Sequence, residues 1–194
     1  MLYNGCYKGV NNMPPIPKIS KDMILKSGLE IIKDKGIDSL NVRNIAKKLN
    51  CSTQPIMYHY KNMDLLKEEL YNIADSYHSE FLMKENSNNN PLLNIGLQYI
   101  KFAEQEKNLF KFLFQSDKFS NFNFEDLLNN EDGLKYIFEI MKRETRLSNK
   151  DIKESFKLLF ITAHGIASLL ANNSITYDEK YYKKILENAF SKAL

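Results

Sequence analysis

Cysteine, histidine, proline and glycine are all scarce in this chain of 194 residues. The two cysteines, Cys6 and Cys51, cannot form a disulfide framework or a thiolate zinc site, which suits a reducing, cytoplasmic setting. The three histidines, His59, His78 and His164, have no metal-ligand spacing, so neither a metal nor another cofactor is expected. No apolar run is long. The most apolar one, residues 158–171, falls short of the ~20 residues that cross a bilayer and contains His164. It reads as a buried helix, and no membrane partner is expected. The first residues lack the apolar core of a secretory signal, so 1–17 read as a flexible arm, with Met13 as a second candidate start. A nucleophile elbow, a phosphate-binding glycine loop and paired carboxylates in a convincing context are missing too, so an enzyme is not expected.

What remains is helical. Apolar residues recur at spacings of three and four, and strand-like alternation is almost absent, so the fold class is all-α. The charge is uneven. Ten basic and five acidic residues lie between Lys18 and Lys67, giving that segment +5 in a chain of net charge +3. A basic N-terminal third on a faintly acidic body points to a polyanionic partner at one end.

Ser20 caps a first helix whose inward stripe is Ile24, Leu25, Gly28, Leu29 and Ile32, and Gly36 ends it. Asn41 caps a second, short helix with Val42, Ile45, Ala46 and Leu49 on one face; Arg43, Lys47 and Lys48 lie off that face. Asn50 breaks it, being the non-glycine residue most tolerant of the left-handed conformation. Ser52 is the expected N-cap of a third helix, which places Pro55 in the first turn, where no intrahelical amide bond is lost. Two short helices joined by a three-residue break make a helix-turn-helix. Asn62 caps a fourth helix with Leu65, Leu66, Leu70, Ile73, Tyr77 and Phe81 on its apolar side. Asn86 to Pro91 reads as a polar linker, and residues 116–133 as a loop or partly helical excursion. Helices are expected over 93–106, 134–146, from Ser148 to about Ala171, and from Asp178 to about Ala193, with "NLFKFLF" as a short helical turn between the first two.

The stretch "GIDSLNVRNIAKKLNCSTQPIMYHYKNMDLL" resembles the DNA-binding domain of the TetR/AcrR family of transcriptional regulators. Gly36, Ile45, Ala46, Ser52, Ile56, His59, Tyr60, Asn62 and Leu66 carry the resemblance, which covers residues 20–66. Asn50 replaces the family's turn glycine. Met57 stands where the family often has a phosphate-binding tyrosine, and Met63 where it often has a phosphate-binding lysine.

The resemblance implies a helix-turn-helix domain over 18–62 and a helical ligand-binding and dimerisation domain over 63–194. Gln54 is the expected base reader, through the pairing of its amide with adenine. Thr53 and Tyr58 reach base edges or phosphates, and Pro55 offers an apolar face to a thymine methyl. Arg43, His59 and Lys61 are expected on phosphates, with Met57 in the same interface.

A helix this short reads few base pairs, so a homodimer on a palindromic double-stranded operator is expected. The apolar last two helices would build it through Ile166, Leu169, Leu170, Tyr182, Ile185, Ala189 and Phe190. The aromatic-rich middle implies a pocket for a small apolar or amphipathic effector that relieves repression, with Phe102, Phe110, Leu113, Phe114, Tyr136, Met141, Phe160 and His164 as candidates. The alternatives are a helical protein-binding adaptor, or a small-molecule-binding protein without operator function.

Overall fold

The computed structural model describes residues 19–84, 90–116, 128, 131–145 and 147–193. The expected arm, residues 1–17, and most of the 116–133 segment lie outside them. The described residues form nine α-helices and one 3-10 turn, with no strand among them. In chain order these are α1 (Lys21–Lys35), the 3-10 turn (Ile37–Ser39), α2 (Val42–Lys48), α3 (Gln54–His59), α4 (Met63–Leu82), α5 (Pro91–Gln105), α6 (Lys107–Phe114), α7 (Glu131–Glu144), α8 (Asn149–Ala171) and α9 (Glu179–Ala193). The all-α expectation holds.

Side-chain caps set most of the helix starts. Ser20 accepts from the Met23 amide, Asn41 from Asn44, Asn62 from Leu65 and Ser148 from Asp151. Each satisfies an amide that has no partner inside its own helix. Two starts differ from expectation. α3 begins one residue late, with Thr53 rather than Ser52 at the cap and no side-chain bond there. Pro55 nevertheless stays in the first turn, where it costs no hydrogen bond. α5 begins at Pro91 rather than 93, because Asn90 caps the Leu93 amide and the proline takes the first turn.

Asn50 behaves as its chemistry requires. Its φ is 50°, the Asn50 amide donates to the Lys47 carbonyl at 3.2 Å, and the Cys51 amide donates to Ala46 at 3.0 Å. This pair of bonds is a Schellman closure, and it turns the chain from α2 into α3.

On α4 the buried stripe is Leu66, Leu70, Ala74, His78 and Phe81. Leu65 and Ile73, expected on the apolar side, are exposed. Each lies one residue before a buried position, and successive helical residues point about 100° apart.

One buried cluster runs from Ile24 in α1 through α4, α5 and α6 to Leu186 in α9, so the first three helices share a core with the body. The expected boundary after Asn62 falls at the cap of α4, and that core is continuous across it. A smaller cluster joins Leu92 of α5, Leu134 and Met141 of α7, and Ile152, Phe156 and Leu159 of α8. α8 is, among the described residues, the one helix long and apolar enough to cross a membrane. Here it packs against α5 and α9.

The turn at Asn50 gives a direct test. Asn50→Gly should leave stability unchanged or raise it by up to about 1 kcal/mol, whereas Asn50→Val should cost about 1–2 kcal/mol. Urea unfolding midpoints measure both, and equal midpoints would contradict the left-handed turn.

Candidate nucleic-acid interface and cavity

No acidic residue occurs between Ser39 and Met63, a stretch that contains Arg43, Lys47, Lys48 and Lys61. Within it the helix-turn-helix sorts side chains by face. Ile45, Ala46, Ile56 and Tyr60 are buried. Thr53, Gln54, Met57 and Tyr58 are exposed, Tyr58 at 84%, and Pro55 is half-buried beside them. Arg43 and Lys61 are exposed at either flank. Lys48 turns back to Glu30 of α1, with Nζ 2.9 Å from its carboxylate. His59 is half-buried, and its Nε2 lies 3.0 Å from the Ile19 carbonyl. A carbonyl only accepts, so the proton is on Nε2, and Nδ1 is the nitrogen left for a further partner.

Two polar clusters fix this head on the body. Tyr60 donates to Glu69 of α4 at 3.0 Å, and Lys21 of α1 pairs with the same carboxylate at 2.7 Å. Burial and the neighbouring carboxylate push the Tyr60 phenol well above its usual range, and the Lys21 bond lowers Glu69. At the other end of α1, Lys33 pairs with Glu106 at 2.9 Å, and Tyr77 of α4 donates to the same Glu106 at 2.8 Å. Burial works against the Lys33 charge, but the hydrogen bonds and charges of Glu106 and Tyr77 together outweigh it and the pKa rises. Asn108 of α6 donates to the Lys33 carbonyl at 2.8 Å.

The body contains a cavity of about 310 Å³ between α4, α5, α7, α8 and α9. Of the eight expected effector residues, Phe114, Tyr136, Met141 and Phe160 line it. Phe102, Phe110 and Leu113 are fully buried and fill the core instead, because their helix positions face neighbouring helices on the far side of the wall. His164 stands behind the wall: its Nδ1 is 2.8 Å from the hydroxyl of Tyr99, which lines the cavity, and its ring stacks on Phe160 at 5.4 Å. Sequence reasoning missed His78, Tyr99, Phe156 and Leu159. The signal for His78 was its position four residues after Ala74 and eight after Leu70, on the buried stripe of α4. Its ring packs against Tyr99, Phe102 and Phe114 at 5.5, 4.8 and 5.1 Å.

The last two helices also sort by face. Of the expected dimer residues, Leu170 and Tyr182 are buried in the chain's own core, Phe190 lines the cavity, Ala189 packs on the smaller core, and Ile166 and Ile185 are half-buried. Leu169 is exposed. With Leu158, Ile161 and Gly165 it makes a stripe along α8, and Tyr181 of α9 is exposed as well. A methyl group added at Gly165 would meet nothing within 4 Å. The accessible apolar face is therefore centred on Leu158, Ile161 and Leu169, of which Leu169 is among the residues expected. Apolar side chains surround most of α8, and sequence periodicity does not distinguish its inner stripe from its outer one.

Among the described residues no group of histidine, cysteine and carboxylate side chains has metal-binding geometry. No family model matches the chain, and no curated protein matches it. Solved structures do match. One is a TetR-like transcriptional regulator from Rhodococcus sp. RHA1, 14% identical, with a TM-score of 0.64 over 88% of this chain and 93% of that one. The fold is TetR-like. In the TetR-like fold of this chain, as described above, a basic helix-turn-helix caps one end of a helical body that holds an apolar cavity.

Burial pushes the His78 imidazole down to about 4 from an ordinary value near 6.5, and lowers His164 as well. As pH falls below 6.5 the unfolded chain takes up a proton that folded His78 refuses, so stability is lost between about pH 6.5 and 4. The unfolding free energy of wild type relative to His78→Leu should therefore fall by up to about 3 kcal/mol from pH 7 to pH 4. Urea titrations at the two pH values measure it, and a pH-independent difference would contradict the neutral buried imidazole.

Proposed function

We propose that this chain is a DNA-binding transcriptional regulator of the TetR family, acting in the cytoplasm as a homodimer on a palindromic operator. The observation that carries this reading is the acid-free outward face of α3, held in a Schellman-closed helix-turn-helix on a TetR-like fold. Gln54 in the first turn is the base reader, through a bidentate bond to adenine worth about 1–3 kcal/mol of discrimination. Thr53, Pro55 and Tyr58 flank it at base edges. Arg43 and Lys61 contact phosphates and set the register without reading sequence; His59 joins them in its imidazolium form, which donates from both ring nitrogens. Met57 cannot donate to a phosphate. Lys61 and the start of α4, whose Leu65 amide is already held by Asn62, take that role, since a helix N-terminus favours an anion.

Dimerisation uses the exposed stripe of α8 with Tyr181 of α9. Gly165 lets two copies of α8 approach closely, and burying Leu158, Ile161 and Leu169 removes large apolar side chains from water. The cavity holds a small apolar or amphipathic effector. α4 forms one wall of the cavity and begins three residues after the end of α3, so an effector that displaces α4 changes the spacing of the two heads. It thereby lowers operator affinity by its differential affinity for the two arrangements.

Selection of bound duplexes from a random pool should enrich a palindrome with half-sites about one helical turn apart or modestly further. A pool without enrichment rejects the function. Gln54→Ala should relax sequence preference at one position per half-site, whereas Arg43→Ala should weaken binding to all duplexes alike. Ile161→Asp should convert the dimer to a folded monomer at micromolar concentration in sedimentation velocity. An unchanged dimer would move the interface elsewhere.

A further inference from the structure

The cavity wall carries information about what it accepts. Among the described residues that line it, the one charged side chain is Asp75, exposed at the rim with Ser79 and Tyr136. No lysine or arginine among the described residues faces the space, so none of them neutralises a carboxylate or phosphate there. The rest is aliphatic and aromatic, including Tyr99, Phe114, Phe156 and Phe160. The volume lies at the lower end of small-molecule sites, about 300–1,000 Å³.

The interior polar groups differ in whether they are satisfied. The Tyr99 hydroxyl already has His164 Nδ1 at 2.8 Å. His78 is only 6% exposed, and its Nε2 has no hydrogen-bond partner among the described residues. A buried polar atom without a partner is costly and uncommon in folded proteins. Burial keeps the ring neutral at pH 7, so Nε2 is a single donor or acceptor, by tautomer, and carries no charge.

We propose that the molecule this cavity receives is uncharged, with an aromatic or alicyclic body and one hydroxyl group that bonds to His78 Nε2. The proposal rests on the ligand-released reading above and deepens it. A hydroxyl both donates and accepts, so it satisfies either tautomer of the imidazole. An anionic analogue of the same body is rejected, because it would be desolvated against apolar walls with only Asp75 nearby.

Three compounds that share one body test this on the full-length protein. They are para-benzylphenol, diphenylmethane and para-benzylbenzoic acid, each titrated at pH 7 against the fluorescence of bound phenyl-naphthylamine. The phenol should displace the reporter at about tenfold lower concentration than either of the others, the worth of one hydrogen bond to a buried group. In His78→Leu the phenol should lose that lead over diphenylmethane, while diphenylmethane itself competes as before. His78→Phe, which keeps a ring among the neighbouring rings, serves the same purpose should the leucine variant fold poorly. Equal or better displacement by the acid overturns the proposal, as does a phenol advantage that survives both substitutions; the ligand-released reading stands in either case. If neither the reporter nor any compound binds wild type, both fail together.

Discussion

α4 is one unbroken helix of 20 residues, about 30 Å long, and both ends of the molecule are built on it. Its first half, through Leu66 and Leu70, closes the core of the helix-turn-helix. Its second half, through His78 and Leu82, walls the cavity. Gly28 lets α1 come so close that an added methyl would lie 2.9 Å from Leu70. Glu106 then binds Lys33 of α1 and Tyr77 of α4 at once. The head is thus packed onto α4 along one side and tied to the α5–α6 corner at the far end of α1. A close-packed interior of this kind has low compressibility and transmits strain along the helix.

Several polar groups inside the body come in satisfied pairs, with Asn94 Oδ1 and His78 Nε2 as buried exceptions. Tyr99 meets His164, Gln98 reaches the Lys84 carbonyl at 3.3 Å, and Tyr182 donates to the Thr176 carbonyl. Each bond joins two separate segments, so each also fixes a packing register. Against this background a buried imidazole with an unpartnered nitrogen, on the helix that connects cavity and head, has a clear physical cost in the ligand-free chain.

The N-terminal third was legible in the sequence because its rules are local. Capping by Ser20, Asn41 and Asn62 and the left-handed turn at Asn50 each depend on a few neighbouring residues, and the structure bears them out. The one-residue shift to Thr53 and the overlooked start at Asn90–Pro91 are errors of the same local kind. The body was less legible. Phe102 and Phe114 have the same chemistry and both lie on apolar faces, yet one fills the core and the other lines the cavity. That distinction depends on where α7 and α8 arrive, which no local pattern encodes. On α8 the same limit left exposed Leu169 and buried Leu170 in one expected set. His78 was hidden by its chemistry: a histidine on an apolar stripe reads as an interruption, and Tyr77 beside it drew the attention.

The exposed stripe of α8 and the basic residues of the helix-turn-helix, Arg43, Lys47 and Lys61, lie on different parts of one small molecule and answer to opposite solvent conditions. Contacts between cationic side chains and phosphates weaken as ions are added. Apolar association through Leu158, Ile161 and Leu169 strengthens in excluded salts such as sulfate. A sulfate-rich buffer that favours burial of the stripe therefore works against phosphate contacts by the basic residues, and a dilute buffer does the reverse. In crystallisation, where sulfate is a common precipitant, the solvent itself would select which of the two surfaces becomes visible.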